Sequence, residues 1–180
     1  MHRLAYLSLG SNLGDRDRYL GEATRRLRSV GRVQAISSLY ETQPVELTAQ
    51  PWFLNCALAL ETSASPARLM EQLLAIESAM GRQRIQKKGP RNIDLDIVFF
   101  ADLVVNTPGL TIPHPAMQER RFVLAPLAEI APSAIHPVFK KTIQELLEEL
   151  PPGQIVKRLK RKLSPDPTNV HRSRLRREMG

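Results

Sequence analysis

The sequence predicts an α+β fold: a ferredoxin-like α/β sandwich in which helices pack on a mainly antiparallel sheet. Three observations predict it. The expected elements run strand, helix, strand, strand, helix, strand, which is the order of a split βαβ motif. Residues 53–62 alternate with period two: Leu54, Cys56, Leu58 and Leu60 fall on one side, and Phe53, Asn55, Ala57 and Ala59 on the other. Two stretches carry apolar stripes at helical spacing with cap residues before them.

The first strand is expected over 4–9, followed by a turn over 10–15 that is rich in Gly, Ser, Asn and Asp. A helix over about 15–30 presents Leu20, Ala23, Leu27 and Val30 on one stripe, and Gly31 is placed to end it. A second strand over 33–41 leads into a polar loop between Pro44 and Pro51. After the third strand at 53–62, Ser65 reads as an N-cap and Pro66 as the first residue of a helix. That helix buries Leu69, Leu73, Ile76 and Met80 and ends at Gly81. A basic loop over 82–91 enters a fourth strand at 93–100. Residues 101–112 suggest a strand-turn-strand excursion around Asn106-Thr107-Pro108-Gly109. Short helical turns broken by Pro115 and Pro126 are expected over 113–131, and a short helix over 142–150. Pro151-Pro152-Gly153 reads as a breaker and a boundary. Beyond it, 154–163 reads as a basic amphipathic helix. The domain division is therefore 1–152, with a basic extension over 153–180.

The chain has 180 residues and a net charge of +8, which fits one domain plus an extension. The charge is uneven. Residues 1–150 hold 17 Lys/Arg against 16 Asp/Glu, whereas 151–180 hold nine against two. The body is thus near neutral and the tail is strongly basic. Such a tail is either a solvated segment or an arm for nucleic acid or an anionic surface. Cys56 is the single cysteine, so no internal disulfide forms. Apolar runs are too short for a membrane span, and the run after Arg3 is too short for a secretory core. A cytoplasmic protein is expected.

The chemistry concentrates at Asp94-Leu95-Asp96. Two residues apart on a strand share a face, about 6.6 Å apart along the chain. Ile93, Leu95, Ile97 and Phe99 would then face a core. Paired carboxylates repel unless a cation joins them, and all-oxygen donors suit Mg²⁺. A two-metal site needs ions about 3.5–4 Å apart and can bridge phosphate oxygens. An edge strand with solvated aspartates would show the same spacing. Arg82, Arg84, Lys87, Lys88 and Arg91 crowd the preceding loop, more cations than two carboxylates need. A polyphosphate would account for the excess, since guanidinium groups grip phosphate oxygens in a fork. Phe53 and Asn55 are an aromatic and an amide on one strand face, a pair that suits a flat heteroaromatic ligand. Glu77 lies beside its helix's apolar stripe, as a surface carboxylate or an arginine partner. His114, between Pro113 and Pro115, reads equally as a turn histidine or a phosphate donor. Gly10 and Ser11 look like part of a phosphate loop, but there is no GxxxxGK[ST] and no GxGxxG.

Several motifs in order carry a family resemblance over about residues 4–150. They are Tyr6-Leu-Ser-Leu-Gly-Ser-Asn-Leu-Gly-Asp15, Tyr40-Glu-Thr-Gln-Pro-Val45, Gln50-Pro-Trp-Phe-Leu-Asn55 and Glu77-Ser-Ala-Met-Gly-Arg-Gln-Arg84. Gly89-Pro-Arg-Asn-Ile-Asp-Leu-Asp-Ile97 and Leu110-Thr-Ile-Pro-His-Pro115 follow, with Glu119-Arg-Arg-Phe122 last. In these the chain resembles the 6-hydroxymethyl-7,8-dihydropterin pyrophosphokinases of folate biosynthesis. The resemblance implies a ferredoxin-like fold and transfer of the β,γ-diphosphate of MgATP to the pterin hydroxymethyl oxygen, releasing AMP. It implies two Mg²⁺, with Mn²⁺ as an alternative, on Asp94 and Asp96, and phosphate contacts from Arg82 and Arg91. It implies an ATP site lined by Glu77, Arg84, Ile97, Thr111, His114 and Arg120. It implies a pterin pocket of Thr42, Val45, Phe53, Asn55 and Phe122, with the two phenylalanines sandwiching the ring. Mobile loops would fall at 10–15, 43–50 and 82–91. Here Lys87-Lys88 stand where many relatives carry an aromatic or arginine, and Gln43 replaces a common proline. The tail after Pro152 has no counterpart and is expected to be dispensable for catalysis. The partners expected are ATP and the pterin, acting on a monomer, with no membrane.

Two other classes compete. A nucleic-acid-binding ferredoxin-like module would use the tail as an electrostatic arm. Its readers carry a Lys/Arg-Gly-Phe type string that is missing here, and aromatics are only 5% of the chain, so nucleic acid is not the expected partner. A metal-dependent nuclease would use the same carboxylates but has no need of Phe53 and Asn55.

Overall fold

The computed structural model describes residues 1–82 and 89–163. Among the described residues, eight strands and four α-helices follow in the order β1 (Arg3–Ser11), α1 (Arg16–Leu27), β2 (Arg32–Ile36), β3 (Ser38–Thr42), β4 (Phe53–Thr62), α2 (Pro66–Ala79), β5 (Asp94–Phe100), β6 (Val105–Thr107), β7 (Leu110–Ile112), α3 (Arg121–Ile130), α4 (Ile143–Glu149) and β8 (Val156–Lys162). The main sheet runs β5-β1-β4-β3-β8, with β2 also on β4, and every pairing in it is antiparallel. The small hairpin β6–β7 stands apart. The sandwich expected from the element order is the one observed.

Local chemistry explains the boundaries. Asp15 caps α1 by accepting from the Arg18 N–H at 3.0 Å. Ser65 caps α2 through Arg68 N–H at 3.2 Å, with Pro66 in the first turn. α2 ends at Gly81, whose φ of +79° favours a residue without Cβ. Thr142 and Glu145 form a reciprocal capping box on α4.

The core lies in two layers, one on each side of the sheet. On one side Leu7, Leu9, Leu54, Leu58 and Leu60 meet Leu20 and Leu27 of α1 and Leu69 and Leu73 of α2. Each is fully buried, so truncating any one to Ala would cost about 2–5 kcal/mol. On the other side Ala57, Val98 and Phe99 pack under Val123, Leu124 and Leu127 of α3 and Ile143 and Leu146 of α4.

Four departures from the sequence reading have local causes. The expected second strand is two, β2 and β3, because Ser37 is an extra residue. Ile36 pairs with Leu58 and Tyr40 with Asn55, four steps against three. The Ser37 hydroxyl accepts the Ala57 N–H there at 2.9 Å, in place of a carbonyl. Phe99 does not share a face with Ile93, Leu95 and Ile97. Tyr6 pairs with Phe99 and Leu7 with Ile97, so a bulge at Val98 turns Phe99 toward α3. The broken turns expected before Ala131 are a short 3₁₀ turn and then one continuous helix, α3, that keeps Pro126 within it. Finally, 154–163 is not a helix. Its core is the edge strand β8, paired to β3 from Thr42–Val156 to Ser38–Lys162.

Candidate active site

Three neighbouring strands place the site on a single rung. Gly10 of β1 pairs with Asn55 of β4 on one side and Asp94 of β5 on the other. Two residues back, Ser8 pairs with Ala57 and Asp96. Side chains alternate along each strand, so Ser8, Gly10, Phe53, Asn55, Asp94 and Asp96 all project to the α3 side of the sheet. They line one cleft of about 590 Å³, its open mouth included. The segment 42–46 and Gln50 form a second wall; Arg91, Arg120 and Phe122 close it.

Gly10 is required by closeness. A Cβ on it would sit 2.7 Å from Asn55 Oδ1, so only glycine lets the amide lie across β1. Asn55 is 4% exposed, and its Nδ2 donates to Thr42 Oγ1 at 2.6 Å. That bond fixes which end of the amide points where.

The acidic end is held by arginines. Arg82 lies 2.7 Å from Asp94 Oδ1 and 2.6 Å from Glu77 Oε1. Glu77 also accepts the Leu95 N–H at 2.8 Å, tying α2 to β5. Arg91 Nε stands 3.1 Å from Asp94 Oδ2, yet it is buried without a well-directed hydrogen bond. Opposite charges hold the Arg82 guanidinium above its ordinary pKa against the effect of burial. Asp96 has no hydrogen bond or ion pair among the described residues. Burial, then the charges of Asp94 and Glu77, pushes its carboxyl up to about 7 despite Arg120 and Arg91. Two crowded acids, one unpaired, form a donor set that a divalent cation would relieve. Among the described residues no group of three His, Cys, Asp or Glu could hold a metal. Asp94 and Asp96 would supply carboxylate oxygens, and the remaining positions would fall to phosphate oxygens and water. That fits Mg²⁺, which keeps much of its water and binds with substrate phosphates.

The aromatic end carries cations too. The Arg91 guanidinium lies 5.1 Å from the Phe53 ring centre, and that of Arg120 lies 5.7 Å from Phe122. Arg120 also pairs with Glu46 at 3.2 Å across the mouth. His114 Nδ1 accepts the Ala116 N–H at 3.2 Å, which assigns the ring proton to Nε2. Burial and then Arg120 hold the ring below the ordinary histidine pKa, so it is a neutral donor at pH 7.

The cleft gathers nine of the residues singled out in the sequence: Thr42, Val45, Phe53, Asn55, Arg91, Asp94, Asp96, Arg120 and Phe122. Arg82 and Glu77 stand behind them through Asp94, and Glu77 is buried rather than at the surface. The Ile97 side chain is in the core against the α1–α2 layer rather than in the cleft. Thr111 is exposed on β7. Arg84, Lys87 and Lys88 lie outside the described residues. Ser8, Asn12 and Gln50 stood in the quoted motifs without a role of their own, and Glu46 stood in none of them. Gly10 and Ser11, expected in a turn, belong to β1, which runs on to Ser11 because its pairing with β4 and β5 continues there. Among the described residues no helix is long and apolar enough to cross a membrane.

Comparison with known proteins places this geometry. Residues 6–132 match the family model described as 7,8-dihydro-6-hydroxymethylpterin-pyrophosphokinase (HPPK). The chain is 47% identical over 132 residues to the 2-amino-4-hydroxy-6-hydroxymethyldihydropteridine pyrophosphokinase of Bacillus subtilis, covering 72% of this chain and 79% of that one. It is 43% identical over 153 residues to the enzyme of the same name from Methylorubrum extorquens, covering 84% and 96%. It is also 44% identical over 152 residues to the folic acid synthesis protein fol1 of Schizosaccharomyces pombe, covering 83% of this chain but spanning only 21% of that longer relative. A crystal structure of a triple mutant of Plasmodium falciparum HPPK-DHPS shares the fold, with TM-score 0.70 at 18% identity, over 83% of this chain and 44% of that one. The chain belongs to the 7,8-dihydro-6-hydroxymethylpterin-pyrophosphokinase family.

Proposed function

We propose that the protein transfers the β,γ-diphosphate of ATP to the hydroxymethyl oxygen of 6-hydroxymethyl-7,8-dihydropterin and releases AMP, a diphosphokinase step of folate biosynthesis. A bond forms between that oxygen and the β-phosphorus, and the bond from the β-phosphorus to the α-β bridging oxygen breaks. The hydroxyl proton leaves to Asp94 or to water. The carrying observation is that Asp94 and Asp96 line the same cleft as Phe53 and Asn55.

Each residue has work that follows from its setting. Phe53 and Phe122 sandwich the pterin, and Asn55, oriented by Thr42, reads its edge with a donor and an acceptor. Val45 covers it. Arg82 and Arg91 screen the transferring phosphates, so that the alcohol oxygen can approach an electron-rich centre. Arg120, His114 Nε2–H and, in the segment beyond description, Arg84 contact the triphosphate, with Glu77 setting Arg82. Ile97 and Thr111 border the nucleotide. Asp94 and Asp96 would hold two Mg²⁺, or Mn²⁺ in its place, which when bound neutralise phosphate charge. In-line placement of oxygen and phosphorus supplies much of the remaining rate. Closure of 10–15, 43–50 and 82–91 would exclude water as a competing nucleophile. The activity is assigned to the domain read as 1–152 together with the edge strand β8 that completes its sheet, the rest of 153–180 being a basic extension, in a cytoplasmic monomer that acts on these two small molecules rather than on nucleic acid.

Product analysis tests the reading. With Mg²⁺, ATP and 6-hydroxymethyl-7,8-dihydropterin, AMP should appear one-to-one with pterin consumed. ADP or orthophosphate as the product would point to another phosphotransfer and sink this one.

A further inference from the structure

The two walls of the pterin pocket come from distant parts of the chain. One is the segment 42–46, which continues β3. The other is 120–122, the turn into α3. The ion pair between them, Arg120 with Glu46, has side chains 23% and 38% exposed, and pairs of that kind contribute little on their own.

A better-defined link lies behind the pocket, beyond the residues matched by the family model. The Gln154 side chain bridges two backbone groups on either side of Arg120. Its Nε2 donates to Glu119 O at 2.7 Å, and its Oε1 accepts the Arg121 N–H at 2.8 Å. The next residue, Ile155, accepts the Gln43 N–H on its carbonyl at 3.1 Å. Val156 then pairs with Thr42 in the sheet. Two consecutive residues therefore grip both walls.

α3 needs this grip. The first N–H groups of a helix have no partner within it. Arg120, in the capping position, makes no side-chain cap bond, and Gln154 supplies one from outside. The task calls for a donor and an acceptor on one rigid amide, which among long side chains only glutamine combines.

We propose that Gln154 is a positioning residue for the pterin pocket: it sets the spacing between the Thr42–Val45 wall and the Arg120–Phe122 wall. This rests on the pterin reading of the cleft. It touches neither substrate; it acts through Thr42, Phe122 and the backbone around Arg120, so it should govern pterin affinity more than ATP affinity.

The test uses the full chain with Gln154→Met, which keeps shape and removes both bonds, and Gln154→Glu, which keeps only the acceptor. Trp52 is the single tryptophan, is adjacent to Phe53, and serves as a fluorescent reporter of pterin binding. Gln154→Met should raise the Kd and KM for 6-hydroxymethyl-7,8-dihydropterin at least fivefold, with a clearly smaller rise in KM for ATP and a cooperative melt retained. Gln154→Glu should fall between that variant and the wild type. Unchanged pterin affinity in Gln154→Met, or equal loss for ATP and pterin, would overturn the inference while leaving the reaction assignment intact. A wild-type protein that makes no AMP and does not bind the pterin would remove the functional reading, and this inference with it.

Discussion

Asn12 holds Arg91 from two sides at once: its Oδ1 accepts the Arg91 N–H at 2.8 Å, and its own N–H donates to the Arg91 carbonyl at 3.0 Å. The same side chain donates through Nδ2 to Pro51 O at 2.9 Å and Gln50 Oε1 at 3.0 Å. One residue, 2% exposed, thus joins the end of β1, the loop before β4 and the arginine that flanks Asp94. Asn12→Ala should leave Arg91 free to wander. A lowering of kcat by about 10- to 100-fold is expected, in line with loss of a positioned charge, with a stability cost of about 1–3 kcal/mol for the buried groups left unpaired. Steady-state kinetics beside a thermal melt checks both; a kcat within twofold of wild type would disprove the coupling.

Gly10→Ala tests the closeness of β1 to Asn55. The new methyl would meet the Asn55 amide oxygen at 2.7 Å, forcing Asn55 from its bond to Thr42. KM for the pterin is expected to rise about tenfold or more, a loss of at least about 1.4 kcal/mol. Circular dichroism should show the fold retained. An unchanged KM would mean that Asn55 does not read the ligand.

Glu129 ties the edge strand down. Its carboxylate accepts from Tyr40 Oη at 2.8 Å and from Ser38 N–H and Oγ at 3.0 and 2.9 Å, and it pairs with Arg158 of β8 at 3.2 Å. Burial alone would raise its pKa, but the bonds from Tyr40 and Ser38 and the Arg158 charge outweigh that and lower it. A carboxyl lowered in the fold adds stability above its unfolded value, near 4.5, and loses it as pH falls through the folded one. Glu129→Gln should therefore melt lower than wild type at pH 7 by about 2–4 °C, for about 1 kcal/mol. The gap should close below about pH 4.5. A gap independent of pH would contradict the assignment.

Removal of 154–180 should be costly, contrary to the sequence expectation that the extension is dispensable. It deletes β8, the Gln154 bridge and the Gln43–Ile155 bond. A drop of at least about 5 °C in Tm and a raised pterin KM are expected. Removal of 164–180 alone should leave Tm within about 2 °C and the pterin KM within a few-fold. Parallel melts and AMP assays on the two truncations decide it.

The elements that were legible from sequence are those whose signals are local. β4 is bounded as its alternation indicates, and α2 begins at Pro66 because Ser65 and Pro66 specify a start whatever lies around them. β8 was not legible. Its Lys/Arg-rich stretch has no strand preference of its own; pairing with β3 and the Glu129 carboxylate impose the strand. The bulges at Ser37 and Val98 are likewise properties of two strands read together. Within the cleft, Asp94, Asp96, Phe53 and Asn55 announced themselves by side-chain chemistry. Asn12 and Gln154 work through backbone groups far along the chain, and no spacing in the sequence marks them.

The carboxylate pair is the centre of the proposed chemistry, and Asp96 reports on it most directly because it has no ion-pair partner among the described residues to confuse the result. The rate of AMP release should be compared for Asp96→Ala and wild type at saturating MgATP and pterin. A fall of at least about 10³-fold, or about 4 kcal/mol of transition-state stabilisation, is expected, with the melt preserved. A rate within tenfold of wild type would contradict it.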